Sequence, residues 1–343
     1  MSTATVSTRK RSGFTRDAHI IRLFGILLAL TAFFLIVRSS AFLSAGTWQS
    51  MGVQFPEYGL MALGVMLTMI TGGIDLSVVG IANMSAIAAA SIMLKMAPAG
   101  ADEGQQAAGI AVGILVALVM GALAGLFNGF LVAKVKIPAI LVTLGTLELF
   151  TGIAIIISAG RPVSGLPPVY GAVFGGKVLG VPIPLIVFAV VAVAIWFVLH
   201  RMAFGSKLYM LGSNATAAKF SGLNSTSLLL RTYMISGLAS AIAGLVMLAN
   251  YNSAKADYGV AYTLLTILIV VLGGVHPNGG SGKLIGVVLA IAILQILSSG
   301  LNMFPNISNF YRPLIWGAVL LIVISTQDLG KDLLGRFKKR KEK

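Results

Sequence analysis

The strongest constraint on this chain is the recurrence of apolar stretches too long and too numerous for the core of a water-soluble domain. A helix rises about 1.5 Å per residue and a bilayer core is about 30 Å thick, so about 20 mainly apolar residues make one crossing. Such stretches fall at 20–37, 57–71, 78–96, 107–133, 137–158, 182–200, 228–250, 261–273, 284–304 and 310–326, which predicts an all-α, polytopic membrane protein of about ten transmembrane helices. Two of them, 57–71 and 261–273, are short or broken spans that end in Gly72-Gly73 and Gly273-Gly274. Helices interrupted at glycine are tolerated at membrane depth where the freed backbone groups face protein or water. If both are re-entrant, eight full spans remain. Only 10% of the residues are charged, against about 25% in soluble domains, which leaves too little polarity to cover a water-facing surface.

The charge that is present has a direction. The chain holds 25 basic and 10 acidic residues, a net charge of +15. With the amino terminus in the cytoplasm, 19 basic residues fall in inner segments and six outside, the six being Arg38, Lys95, Arg161, Lys177, Lys255 and Arg312. Cytoplasmic loops of membrane proteins carry this excess of Lys and Arg. Both termini are therefore expected in the cytoplasm, which requires an even number of spans. The expected layout is a basic cytoplasmic segment at 1–19, a transmembrane domain at 20–326 with its long inner loop at 201–227, and a basic cytoplasmic tail at 327–343. Orientation and contact with anionic lipid account for the basic residues without nucleic acid. A cleaved signal peptide at the first stretch is disfavoured, because the remaining spans still need a membrane and the charge pattern uses that helix uncleaved.

Several chemistries are excluded or disfavoured. There is no cysteine, so disulfides, thiolate metal sites and cysteine nucleophiles are ruled out. The three histidines, His19, His200 and His276, sit near different span ends and form no cluster in sequence, so no metal site or catalytic residue is expected. The run Gly279-Gly280-Ser281-Gly282-Lys283 suggests a phosphate loop, but Pro277 stands where the motif needs Gly and Leu284 where it needs a hydroxyl. A flexible basic turn is the better reading, and the chain is not expected to be an enzyme.

Of the acidic residues, only Glu148 falls deep inside an expected span. Burying an unpaired charge costs about 2.5–3.5 kcal/mol on insertion scales, so Glu148 is protonated, paired across the bundle, or facing an aqueous path. Asp75, after the Gly72-Gly73 break, is placed to cap the following helix. Gly121, Gly125 and Gly129 share one helix face at the spacing that lets backbones approach closely in lipid, and Asn128 beside them needs a partner or lines a path. In the inner loop, Asn214 reads as an amino-terminal cap, 215–220 as a short helix and Gly222 as its stop. A short helix of small residues displayed to the cytoplasm suits insertion into a partner's groove.

Taken in order, these motifs resemble the permease subunits of bacterial ATP-binding-cassette (ABC) importers for monosaccharides, the ribose, xylose, arabinose and galactose type that includes autoinducer-2 permeases. Thr71-Gly72-Gly73-Ile74-Asp75-Leu76-Ser77-Val78 is similar to the family signature, with Val79 where Gly is usual. Gly125-Leu126-Phe127-Asn128-Gly129, Lys136-Ile137-Pro138-Ala139 and Thr143-Leu144-Gly145-Thr146-Leu147 follow. Gly212, Asn214, Ala217, Ala218, Ser221 and Gly222 carry the family's inner-loop segment, with Leu223 for Ile; Ser236-Gly237-Leu238, Val271-Leu272-Gly273-Gly274 and Gly279-Gly280 complete the series. The resemblance implies that the six inner-loop residues couple to a separate cytoplasmic ABC ATPase, which uses the ATP and Mg. It also implies a periplasmic sugar-binding protein, a second permease chain, identical or paralogous, and a multi-pass location in the bacterial inner membrane.

Departures accompany the matches. Tyr262-Thr263-Leu264-Leu265-Thr266-Ile267-Leu268 lacks the two carboxylates that many relatives carry there, and a usual Arg near Thr151 is absent while Glu148 is added. Polarity inside spans makes Asn83, Asn128, Thr143, Thr146, Glu148, Asn250 and Asn302 the expected path residues for a neutral, polar solute. An alternative from another class is a self-sufficient secondary carrier or facilitator that uses Glu148 for ion or proton coupling.

Overall fold

A computed structural model describes residues 18–98, 100–304, 311, 314–318 and 321. In chain order the helices are α1 (Ala18–Val37), α2 (Ser39–Phe42), α3 (Ala45–Ile70), α4 (Val78–Met96), α5 (Glu103–Phe130), α6 (Ala139–Ser158), α7 (Pro168–Phe174), α8 (Ile183–Arg201), α9 (Ala203–Ser213), α10 (Ala215–Phe220), α11 (Ser225–Tyr251), α12 (Tyr262–Leu272) and α13 (Leu284–Leu301). Among the described residues, eight helical segments are long and apolar enough to cross a membrane, and Tyr262–Leu272 is a shorter apolar helix. The expected span at 310–326 lies mostly outside the described residues. Its described positions are helical, and Trp316 packs into the main core. The segments 1–17 and 327–343 also lie outside them.

One expected short span is not short. The helix expected at 57–71 begins at Ala45 and runs for 26 residues, with Pro56 inside it. Proline removes an amide donor and crowds the carbonyl four residues earlier, which here belongs to Gly52. Gly52 packs tightly on Pro182, a Cβ there lying 3.1 Å from the proline ring. The polar run before Glu57 concealed this first half of the helix. By contrast, α12 remains short, at 11 residues.

The bundle is sorted by side-chain size. Helices α3, α4 and α11 are buried along most of their length, whereas α1, α5, α6 and α8 are buried over a third of theirs or less. The buried helices, and the face that α5 turns to α11, are rich in Gly, Ala, Ser and Met, whereas α1, α5, α6 and α8 carry Leu, Ile, Val and Phe outward. In lipid no hydrophobic force drives apolar helices together, so close backbone approach through small residues and interhelical hydrogen bonds takes its place. Gly121, Gly125 and Gly129 line the α5–α11 contact, and a Cβ at Gly125 would stand 2.2 Å from the Tyr233 carbonyl oxygen. From the other side Gly237 meets the Gly121 carbonyl, and Gly244 meets that of Ala82 on α4.

Paired glycines close α3 and α12 in the same way. Gly73 N–H reaches the Thr68 carbonyl at 3.0 Å and Gly72 N–H that of Met69 at 2.9 Å; Val275 reaches Val270 at 3.1 Å and Gly274 reaches Val271 at 3.0 Å. Both are Schellman caps, which need a left-handed residue at the turn, and Gly72 and Gly274 have φ of +85° and +87°. At the opposite end of the bundle, two short ribbons tie down the loops: β1 (Val163–Ser164) pairs with β4 (Ser253–Ala254), and β2 (Lys177–Val178) pairs with β3 (Val181–Pro182).

Replacing Gly125 by Val is expected to destabilise the bundle by ~3 kcal/mol or more, since the backbone opposite cannot move aside as a side chain would. Gly145→Ala, with nothing within 4 Å of its added Cβ, is expected to leave thermal unfolding of the purified protein unchanged. Scanning fluorimetry in detergent compares the two.

Candidate coupling and translocation sites

At the Gly72 end, loops from three parts of the chain lock together. Gly280 N–H donates to the Ile70 carbonyl at 2.9 Å, joining the loop after α12 to the last turn of α3. Gly212, near the end of α9, sits so close that a Cβ would lie 1.9 Å from the Ile70 oxygen and 2.5 Å from the Gly280 nitrogen. Tyr209 of α9 donates to the Gly282 carbonyl at 2.9 Å. Burial holds the Tyr209 phenol above its ordinary pKa, so it remains a neutral donor. Helix α9 lies inside the inner loop expected at 201–227, where the sequence reading placed only the shorter helix.

That shorter helix, α10, stands out from this platform. Asn214 Oδ1 accepts from Ala217 N–H at 2.9 Å at its start. At its end Gly222, with φ +77°, allows a third Schellman cap: Leu223 N–H donates to Ala218 at 3.1 Å and Gly222 N–H to Lys219 at 3.1 Å. Ala218 is buried, at 3% exposure, while Phe220 is 88% exposed. Asn214, Ala217, Lys219, Ser221 and Gly222 are also exposed, and Gly212 is half-buried. A cleft of about 360 Å³ separates α9 from α10, lined among others by Tyr209, Asn214, Ala217 and Ser221.

Three residues past Gly72 lies a buried carboxylate. Asp75 Oδ1 accepts from Ser77 N–H at 3.0 Å and Ser77 Oγ at 2.6 Å, and Oδ2 accepts from Ser236 Oγ of α11 at 2.7 Å. The bond to Ser77 precedes the first turn of α4, so the carboxylate folds the lead-in to that helix and ties it to α11. Asn128 Nδ2 of α5 donates to Ser77 Oγ at 2.7 Å, and Thr143 Oγ of α6 to the Ile74 carbonyl at 2.9 Å. Four helices thus meet on residues 74–77.

A second buried carboxylate occupies the opposite half of the bundle. Glu57, midway along α3, has no exposed surface. Its Oε1 accepts from Asn250 Nδ2 at 2.9 Å, and its Oε2 from Tyr251 at 2.6 Å and Tyr262 at 3.1 Å. Beside it Tyr58 donates to Gln295 of α13. Asn83 of α4 donates to the Ala256 and Tyr258 carbonyls at 2.9 and 2.8 Å and holds the loop after α11 against the bundle.

The expected path residues therefore separate. Asn128 and Thr143 belong to the Asp75 junction, with Thr146 buried one turn further along α6; Asn83 and Asn250 belong to the Glu57 half. Glu148 lies on the exposed face of α6, and Asn302 is exposed at the end of α13. Glu57, which stands at the start of the expected apolar stretch only because Pro56 and polar residues come before it, carries the deep carboxylate expected at Glu148 alone, and Tyr251, Tyr258 and Tyr262, none of them an expected path residue, lie around it. The available signal was Glu57 itself, a charge that had to be deep once the helix was extended through Pro56.

Residues 49–324 match the profile of a family described as the permease component of a branched-chain amino acid transport system. The chain belongs to this permease family. The ribose import permease of Escherichia coli (strain K12) is 31% identical over 335 residues, covering 94% of this permease and 98% of the relative. That of Bacillus subtilis (strain 168) is 34% identical over 268 residues, covering 78% and 80% respectively. An autoinducer 2 import system permease from Enterobacter sp. (strain 638) is 35% identical over 277 residues, covering 79% and 81%. In fold, the permease is similar to an inward-facing metal-chelate-type ABC transporter, with a TM-score of 0.53 at 14% identity over 90% of this chain and 98% of that one.

Truncating Asp75 to Ala leaves two hydroxyls and an amide buried without their acceptor, at about 1–3 kcal/mol each. Asp75→Ala is expected to lower stability by on the order of 3 kcal/mol and Ser236→Ala by less, read as unfolding midpoints of the purified permease.

Proposed function

We propose that this permease forms the inward path for a neutral monosaccharide or similar polyol in an ABC importer of a bacterial inner membrane. Its relatives import ribose and autoinducer 2. The observation that carries the coupling part of this reading is α10: a rigidly capped helix, locked to the end of α3 through α9, displaying Phe220 at 88% exposure. In this reading the Gly72 end is cytoplasmic, in keeping with Lys134, Lys136, Arg201, Lys207, Lys219 and Lys283 around it. A cytoplasmic ATPase, which binds ATP and Mg, docks on α10. A periplasmic binding protein delivers sugar at the opposite end, and a second permease chain completes the path. A carrier coupled through Glu148 lacks comparable support, because Glu148 is on the outward face of α6.

Docking through α10 makes Phe220 the residue to change, since it touches little of its own chain. Phe220→Asp is expected to cut sugar uptake and binding-protein-stimulated ATP hydrolysis at least tenfold in proteoliposomes of the complete complex. Insertion and unfolding midpoint should stay those of the unaltered protein. Normal stimulated hydrolysis in this variant would refute the coupling assignment.

A further inference from the structure

Beside Glu57 the structure holds a cavity of about 380 Å³ lined by Tyr251, Ser253, Tyr258 and Gly259, within the size range of small-molecule sites. None of these side chains is charged. Tyr251 and Tyr258 meet edge to face, with ring centroids 5.3 Å apart and planes at 71°, which presents both apolar ring surface and hydroxyl groups to the space.

The direction of the protons gives the chemistry. Tyr251 donates its single hydroxyl proton to Glu57 Oε2 at 2.6 Å. A carboxylate only accepts, so the Tyr251 oxygen, with the Tyr262 hydroxyl also beside it, can offer a ligand a lone pair and no proton. Ser253 Oγ and Tyr258 Oη lie 2.8 Å apart; one proton fills that bond and the other is left to donate. An acceptor, a donor and aromatic surface, with no charge in the lining, match a molecule whose hydroxyls both give and receive hydrogen bonds and whose carbon skeleton offers C–H faces. A carboxylate ligand finds no cation in this lining and has Glu57 behind it.

We propose that this cavity is a polyol-binding subsite in which Tyr251 and Tyr258 contact the sugar and Glu57 is a positioning residue that holds the Tyr251 proton away from it. The proposal rests on the sugar-import reading and names where in the chain the sugar is first held. The loop that carries Ser253 and Tyr258 is fastened by Asn83 and by the β1–β4 ribbon, so the subsite is built before ligand arrives.

The test uses the full-length permease in lipid nanodiscs, with D-ribose, D-xylose and myo-inositol as probes and L-leucine as contrast, read by saturation-transfer NMR. The expected result is transfer to at least one polyol and none to L-leucine, falling fivefold or more in Tyr251→Phe and in Tyr258→Phe while both variants remain folded and monodisperse at the temperature of the measurement. With tyrosines carbon-13 labelled at Cζ, the polyol should move the two resonances that these variants delete, and Glu57→Gln should shift the Tyr251 resonance without ligand. Absence of transfer to all three polyols, or undiminished transfer in both variants, overturns the subsite. So does a polyol that moves other tyrosines and leaves these two. Uptake by the complete complex is scored separately, so a transporting complex without this binding refutes the subsite alone, and a binding permease in a complex that transports no sugar refutes the import reading.

Discussion

Everything in this bundle depends on how closely α11 is approached by its neighbours. A helix of 27 residues is about 40 Å long at 1.5 Å per residue, enough to run from one face of a membrane to the other. Against it α5 presents Gly121, Gly125 and Gly129, while Gly244 of α11 sits on the Ala82 carbonyl of α4. Contacts this short leave no room for independent sliding. One end of α11 follows directly from α10 and Leu223; its middle holds Asp75 through Ser236; its other end carries Asn250 and Tyr251 to Glu57. The helix that follows α10 is therefore a single packed rod that reaches both carboxylates.

The two carboxylates solve one problem in different ways. A buried charge in lipid is costly unless hydrogen-bonded, and here both are held by neutral donors. Asp75 is surrounded by serines and a backbone amide at a junction of four helices, so its contribution is to the geometry of the loop between α3 and α4. Glu57 is surrounded by tyrosines and an asparagine next to open space. The same functional group is a fastening in one place and, drawing the tyrosine protons away from a cavity, the back wall of a candidate site in the other.

Local chemistry accounts for what could be read in advance. The start and stop of α10 follow from Asn214 and Gly222, whose bonds lie within one helical turn, and the caps after α3 and α12 follow from paired glycines for the same reason. Apolar length identified the helices but not their faces. Depth in a span placed Glu148 as a buried charge, yet rotation about the α6 axis turns it outward, and hydropathy contains no information about that rotation when most of the helix is apolar. Pro56 and the polar residues before it disguised the first half of α3, because a proline that the bundle tolerates looks in sequence like a boundary.

By itself, then, the sequence determined a helical membrane bundle, the caps that end α3, α10 and α12 and the order of motifs that places it among importer permeases, since each of those depends on residues within a few positions of one another or on composition along a span. Only the tertiary structure decided which polar groups meet. Glu57 and Tyr251 are 194 residues apart, and Asp75 and Ser236 are 161 apart. Their pairing is set by which helix packs on which and by the rotation of each, and in an apolar medium those choices are made by small-residue contacts distributed over the whole bundle.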